Sequence, residues 1–220
     1  MDIRFLYKDK SLVICEKPTG ISSESPGLPD LISRDLHRIV YPVHRLDYGT
    51  GGVCIQACTK DACTALQRLF SEGKVCKEYL AVISGKPDSD KGIYRDLLYH
   101  DPRLNKSYVV KKMRKGVKEA ICSWQVVDSV DSDDSVLSLV HVFLGTGRTH
   151  QIRVQFASHC LPLVGDRKYG SRLSAEYPAL WANRIFFPHP YIPERKVEAE
   201  SLPPDRYPWN RFSFHGINLM

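Results

Sequence analysis

The apolar positions of this chain fall into short runs separated by proline, glycine and charge, and the period of each run predicts an element. Residues 11 to 15, Ser-Leu-Val-Ile-Cys, lie between Lys8-Asp-Lys10 and Lys17-Pro-Thr-Gly20 and read as a buried strand that ends in a proline-glycine turn. Ser22 to Pro29 is loop by composition. From Asp30 onward, Ile32, Leu36, Ile39 and Val40 recur at helical spacing, which predicts a helix of about ten residues with Asp30 as N-cap and Pro42 as its stop. Gly52 to Cys58 alternates like a half-buried strand. Thr59 then caps the clearest helix, where Ala62, Ala65, Leu66, Leu69 and Phe70 make one apolar stripe, Asp61 complements the dipole and Gly73 stands just past the end.

Lys74 to Ser84, rich in Val, Tyr and Ile, predicts another strand, closed by Gly85-Lys-Pro87. Strands are also predicted at Ile121 to Asp128 and Val136 to Leu144, joined by an acidic turn, Asp128 to Asp134, that belongs at a hairpin end facing away from any polyanion. Lys106, Lys111, Lys112, Arg114, Lys115 and Lys118, with Arg103 nearby, form a basic stretch that fits either a phosphate backbone or a solvated strand edge. Gly145 to Ala157 fits strand and helix periods alike. The prolines at 188, 190, 193, 203, 204 and 208 predict short strands and turns wrapping the core. Several strands with few helices give an α+β expectation: a mixed, mainly antiparallel sheet with flanking helices. No repeat, low-complexity tract or linker divides the chain, so one compact unit is expected.

Composition narrows the classes. With 220 residues, 43% hydrophobic and 25% charged, the chain can bury a substantial core. The net charge of +6 suits a polyanionic partner. Seven cysteines are an odd count, and Asp2, Arg4, Lys8, Asp9 and Lys10 break up the start where a secretory signal would need an apolar run, so a cytoplasmic location with reduced thiols is expected. No apolar run approaches the roughly 18 residues of a membrane span.

Few residues are left to carry chemistry. Cys54, Cys58 and Cys63 superficially resemble a metal set, but strand alternation explains Cys54 and Cys58 as small apolar fillers, and no two tight ligand pairs are present. Neither Gly145-Thr-Gly147 nor Gly49 to Gly52 completes a phosphate-binding fingerprint, and no nucleophile elbow occurs. What remains is the segment Val43 to Gly51, which sets Asp47 beside Arg45 and His44 ahead of a glycine-rich turn, and the polar run Arg148 to Arg153.

At these residues the chain resembles a known family. VHRLD followed by a glycine-rich turn and a strand, KEYLAVISGKP, LGTGRTHQIRVQFASHCLPLVGDRKYG and a late FPHP together look like the RluA-type RNA pseudouridine synthases, over about residues 11 to 205. The resemblance implies the pseudouridine synthase catalytic fold and the isomerisation of a uridine in ribosomal or transfer RNA, without cofactor or metal. Asp47 takes the position of the catalytic aspartate, which adds covalently while the glycosidic bond is cleaved so that the base can rotate and rejoin through carbon. A carboxylate suits this step because it is ionised in neutral water. Arg148 matches the arginine that pairs with that aspartate, and Tyr79 the tyrosine that stacks on the target base. Arg45 matches an arginine that enters the RNA where the nucleotide is displaced, an extrusion of a few kcal/mol.

Further RNA contacts are expected at Lys77, Thr149, His150, Gln151 and Arg153, together with His44, which reads as packed or hydrogen-bonded rather than as a general base. Lys17-Pro18 matches a lysine-proline motif with a structural role beneath the active-site loop.

The chain departs from the family pattern after Asp47, where Tyr48-Gly49-Thr50-Gly51-Gly52 replaces the commoner Lys-Asp-Thr-Ser-Gly. Arg153-Val154-Gln155 stands in place of the commoner Arg-Val-His. Many relatives carry an N-terminal S4-type RNA-binding domain; here the resemblance starts within about ten residues of Met1, so residues 1–220 are expected to be a single catalytic domain, recognising an RNA stem-loop as a monomer with no obligate protein partner. The alternatives are a non-catalytic RNA-binding or RNA-folding factor that retains the fold, and a hydrolytic N-glycosidase. The first has no need of a carboxylate that repels phosphate, and the second would remove the base and change the RNA mass.

Overall fold

The computed structural model describes residues 2–132 and 135–214. Strands β1 (Phe5–Lys8) and β2 (Leu12–Lys17) are followed by α1 (Leu28–Leu36), β3 (Tyr41–Pro42), β4 (Gly51–Ala57), α2 (Lys60–Ser71) and β5 (Cys76–Ser84). Then come β6 (Lys91–Asp101), β7 (Lys106–Val110), β8 (Val117–Ser132), β9 (Ser135–Leu144) and α3 (Gln151–Ser158), and finally β10 (Leu180–His189) and β11 (Ile192–Glu200). A mixed, mostly antiparallel sheet with three α-helices is the expected α+β class. The backbone falls into two compact units, Met1–Glu78 with Trp181–Pro203, and Tyr79–Leu180 with Pro204–Met220.

In the first unit β2 joins β1 and β4 in antiparallel pairs, β3 pairs with β4, and β11 pairs with β10. The β10–β4 pair is parallel, aligning Trp181 with Gly51 and Ala182 with Gly52. The β1–β2 turn is fixed by the Asp9 carboxylate, which accepts hydrogen bonds from the Tyr7 hydroxyl (2.7 Å) and the Ser11 and Leu12 N–H groups (2.7 and 2.9 Å). All seven residues of β4 are buried, so the alternation that predicts a half-buried strand is overridden by cover on both faces. Leu12, Ile14, Ile55, Leu66 and Phe187 meet in the core of this unit.

The α2 helix is the one predicted. The Thr59 hydroxyl accepts from Ala62 N–H at 3.1 Å, and the chain leaves through Gly73 at φ 69°, whose N–H reaches the Phe70 carbonyl. The α1 helix starts and stops earlier than predicted. Gly27 is its N-cap, and Asp30 sits one turn in, reaching back to the Gly27 N–H at 2.7 Å in a capping box. His37 in the left-handed region ends the helix, which frees Tyr41–Pro42 to pair with β4. The proline-rich end is also more regular than composition suggests, because Ile185 and Phe187 on β10 and Val197 and Ala199 on β11 alternate inward across a long hairpin. The register shifts at Pro188, where a ladder donor is missing.

The second unit orders its strands β5-β9-β8-β6-β7. The basic stretch supplies β7, the turn after it and the start of β8, and β6, which its mixed composition hid, pairs with both β7 and β8. The acidic turn lies at the β8–β9 hairpin, where Ser132 opposes Ser135; Asp133 and Asp134 lie outside the described residues. Gly145 to Ala157 resolves as a loop and α3. The first six residues of α3 are all buried, which is why neither period was decisive.

His44 belongs to the packing of the first unit. Its Nε2 accepts the Ile55 N–H at 3.0 Å, its ring stacks on Phe70 at 4.9 Å, and Lys77 lies over the other ring at 5.9 Å from its centroid. Desolvation, and then the Lys77 charge, push the imidazole down from 6.5 to about 3.

Two stability measurements test this packing. A Cβ on Gly52, at φ 108°, would overlap the Ala182 backbone, whereas one on Gly73 meets nothing within 4 Å. In chemical denaturation Gly52→Ala should therefore destabilise by about 3 kcal/mol or more and Gly73→Ala by about 1 kcal/mol. The second concerns pH. Because folded His44 resists protonation, the unfolded chain binds more protons between about 6.5 and 3, so its contribution to stability is present above 6.5 and lost as pH falls through that window. His44→Phe should flatten the acid side of the stability profile there; an unchanged slope would refute the neutral, hydrogen-bonded ring.

Candidate active site

Asp47 lies in the first unit, on the loop from β3 to β4. Alternate side chains anchor that loop: Val43, Leu46 and Thr50 are buried, Arg45 and Tyr48 point outward, and Asp47 is partly accessible between them. Ser23 clasps Leu46, its hydroxyl donating to the Leu46 carbonyl and accepting the Leu46 N–H, both at 2.9 Å. The Thr50 N–H donates to the Asp47 carbonyl at 2.9 Å and closes the turn. The loop is therefore held at main-chain atoms on both sides of the carboxylate.

Lys17 provides a further hold. It is fully buried, and its Nζ donates to the Pro18 carbonyl at 2.9 Å and to the Tyr48 carbonyl at 3.4 Å. Burial pushes its ammonium down from 10.5 to about 8, against the upward pull of Cys54 and Asp47. The lysine-proline motif thus lies beneath the loop, as the resemblance implies. Arg45 pairs with Glu24 at 3.3 Å, but both side chains are more than half exposed, so the pair is weak and exchangeable. Lys77 lies against Phe70, and His44 is engaged in the packing through its hydrogen bond and stacking.

Tyr79 and Arg148 lie in the second unit. Tyr79 is buried on β5. Arg148 is exposed on the loop before α3, and that loop is built by Gln151. The Gln151 Oε1 accepts from the Thr146 hydroxyl (2.7 Å) and the Arg148 N–H (2.9 Å), while its Nε2 donates to the Ile121 carbonyl at 3.1 Å. The Arg148 side chain is itself aimed, its Nε donating to the Glu119 carbonyl at 2.9 Å.

The expected RNA contacts in this segment divide. Thr149 is exposed, although its carbonyl accepts from the Ser107 hydroxyl at 2.6 Å. His150, Gln151 and Arg153 are buried, and each holds neighbouring parts of the unit. Arg153 grips Asp166 with two hydrogen bonds of 2.6 and 2.9 Å and lies over the Tyr169 ring, and His150 shares a hydrogen bond with the Tyr169 hydroxyl at 2.9 Å. The physical reason is the helix: α3 turns inward directly after Arg148, so an even-looking polar run is split into outward and inward halves. Asp166 and Tyr169 were missed as partners. Their signal was an aspartate one glycine beyond the buried apolar pair Leu163-Val164, a place where a carboxylate needs a cation.

Among the described residues no cluster of three or more His, Cys, Asp or Glu could hold a metal ion, and no helix is long and apolar enough to cross a membrane.

Comparison with known proteins agrees with this layout. A family model described as RNA pseudouridylate synthase matches residues 11–158, a span that includes Asp47, Tyr79 and Arg148. An uncharacterized RNA pseudouridine synthase of Aquifex aeolicus is 34% identical over 187 residues, which is 79% of this chain and 58% of that protein. The dual-specificity RNA pseudouridine synthase RluA of Escherichia coli is 32% identical over 195 residues, covering 84% of this chain and 86% of the relative. Human RNA pseudouridylate synthase domain containing 1 shares the fold, with a TM-score of 0.80 at 22% identity over 93% of this chain and 85% of that one. With a family model spanning most of its length and relatives above 30% identity, this chain belongs to the RNA pseudouridylate synthase family.

Proposed function

We propose that this chain isomerises a uridine of ribosomal or transfer RNA to pseudouridine, with Asp47 as the nucleophile. The observation that carries the reading is the Asp47 loop itself: a carboxylate left partly accessible while the main chain on both sides of it is clasped by Ser23, Gly20 and Lys17. Such a group is prepositioned for attack while it stays accessible to a substrate. The isomerisation breaks the C1′–N1 and C5–H bonds of the uridine and forms C1′–C5 and N1–H bonds, with the Asp47 carboxylate released from its covalent adduct at the end, so the RNA mass does not change. Tyr79 as the stacking residue and Arg148 as the partner of the aspartate are assigned by resemblance to the family. The rigid mounting of Arg148 by Gln151 and Glu119 supports its use as a fixed charge.

The substrate is proposed to be a stem-loop, and the exposed basic stretch Lys111, Lys112, Arg114 and Lys115 is proposed to follow its phosphates. A cytoplasmic setting is proposed on the odd number of cysteines, which leaves at least one thiol without a partner within the chain.

Asp47→Asn should lower pseudouridine formation by roughly 1,000-fold or more while leaving the circular dichroism spectrum and RNA binding close to wild type. The readout is chemical mapping of pseudouridine in total RNA together with product mass. Retained turnover in the variant sinks the assignment, loss of a base from the RNA marks a glycosidase, and binding without turnover by the wild type marks a non-catalytic factor. For the basic stretch, replacing Lys111, Lys112 and Lys115 together by Gln should make the slope of log affinity against log salt shallower by about 2 to 3. An unchanged slope assigns the stretch to a solvated edge.

A further inference from the structure

Tyr48 is the part of the Asp47 loop that the proposed chemistry leaves unused. It follows Asp47 directly and is 62% exposed, whereas Leu46 and Thr50 on either side are 5% and 2% exposed. Its backbone is nonetheless fixed, because the Tyr48 carbonyl accepts from the Gly20 N–H at 2.9 Å and from Lys17 Nζ at 3.4 Å. Gly49 follows, and it brings no side chain to cover the ring. A large aromatic ring held outward by a fixed backbone keeps apolar surface hydrated, and a second flat apolar surface would relieve that. Arg45, three residues earlier, also faces out, in a weak pair with Glu24. The rim beside the carboxylate thus offers one cation and one aromatic ring.

We propose that Tyr48 is an affinity-determining RNA contact whose ring stacks on a nucleobase flanking the uridine that Asp47 attacks. The inference rests on the RNA-modifying reading above and adds a residue to it. A uridine brought to Asp47 carries its neighbouring nucleotides past the adjacent residue. Extruding that uridine from a stem or loop unstacks those neighbours and leaves their faces bare. An uncharged aromatic side chain offsets that loss without regard to base identity, since every base has a π face. Stacking also contributes no counterion release, so this contact differs in kind from the basic stretch.

The substrate for the test is the hairpin whose uridine is found by comparing pseudouridine maps of total RNA from cells with and without the gene, prepared with 2-aminopurine beside that uridine. Wild-type protein is assayed first; a wild type that makes no pseudouridine defeats the functional reading, and the role of Tyr48 falls with it. With an active wild type, Tyr48→Ala should raise KM roughly 5- to 150-fold. It should keep kcat, thermal midpoint and salt slope near wild type, and reduce the quenching of 2-aminopurine on binding. Tyr48→Phe and Tyr48→Trp should retain both KM and quenching. An unchanged KM in Tyr48→Ala overturns the proposal, and so does a loss in Tyr48→Phe and Tyr48→Trp as large as in Tyr48→Ala.

Discussion

The buried head of Lys17 is the constraint on which the placement of Asp47 depends. An ammonium group with no exposure must find acceptors, and it finds them in the carbonyls of Pro18 and Tyr48, one on its own strand end and one on the loop that carries the carboxylate. If the loop moved, the charge would be left buried with half its partners, so the position of the loop is enforced by the core rather than by its own residues. The balance is close. Burial lowers the Lys17 pKa to about 8, with Asp47 among the charges opposing it, and the head stays protonated at neutral pH. Lys17 stands opposite Gly52 in the β2–β4 register, and Gly52 lies where only a bare backbone fits against Ala182. Lysine, glycine and strand β10 therefore fix one end of β4, and the loop before it inherits that precision.

The second unit uses the same logic with neutral groups. Gln151 spends both ends of its amide on the Arg148 loop and on β8, so that one outward arginine stands on an inward glutamine. Two residues further on, Arg153 is buried together with Asp166. Their bidentate contact and the Tyr169 ring compensate a desolvation that neither charge could bear alone. Most polar residues of these motifs thus build the framework, and few point outward to do chemistry. That explains how a motif can be dense in apparent RNA contacts while exposing only Arg148 and Thr149 of its central run.

This division marks how far the sequence could be read. Helix α2 was legible because cap, stripe and terminal glycine all agreed, and β9 because nothing in it competed with a strand. Strand β4 was legible as a strand but not as one buried on both faces, since burial of the second face is decided by other segments. The β10–β11 hairpin was hidden by its prolines, although the inward alternation of Ile185, Phe187, Val197 and Ala199 was present throughout. Asp47, Arg148 and Tyr79 were singled out by motif. The burial of His150, Gln151 and Arg153 was not, because periodicity over a fully buried helix carries no phase. The outward aim of Tyr48 was equally invisible, since it depends on which main-chain atoms Gly20 and Lys17 hold.

Charge in the second unit is sorted along β8. Lys118 stands near its start, beside the basic turn, while Asp128 and Asp131 lie toward its far end at the hairpin. Twelve strand residues lie between Lys118 and Asp131, a separation along the strand of about 40 Å. The Debye length at physiological salt is about 8 Å, so the acidic end does not neutralise the field of the basic end. A polyanion approaching this unit is drawn to one end and repelled from the other, and a net charge of only +6 is enough to orient it because the charge is sorted rather than spread. Orientation by charge is long-ranged and indifferent to base sequence. Any closer contact must be made by short-range groups, and on the loop around Asp47 the outward ones are Arg45 and Tyr48.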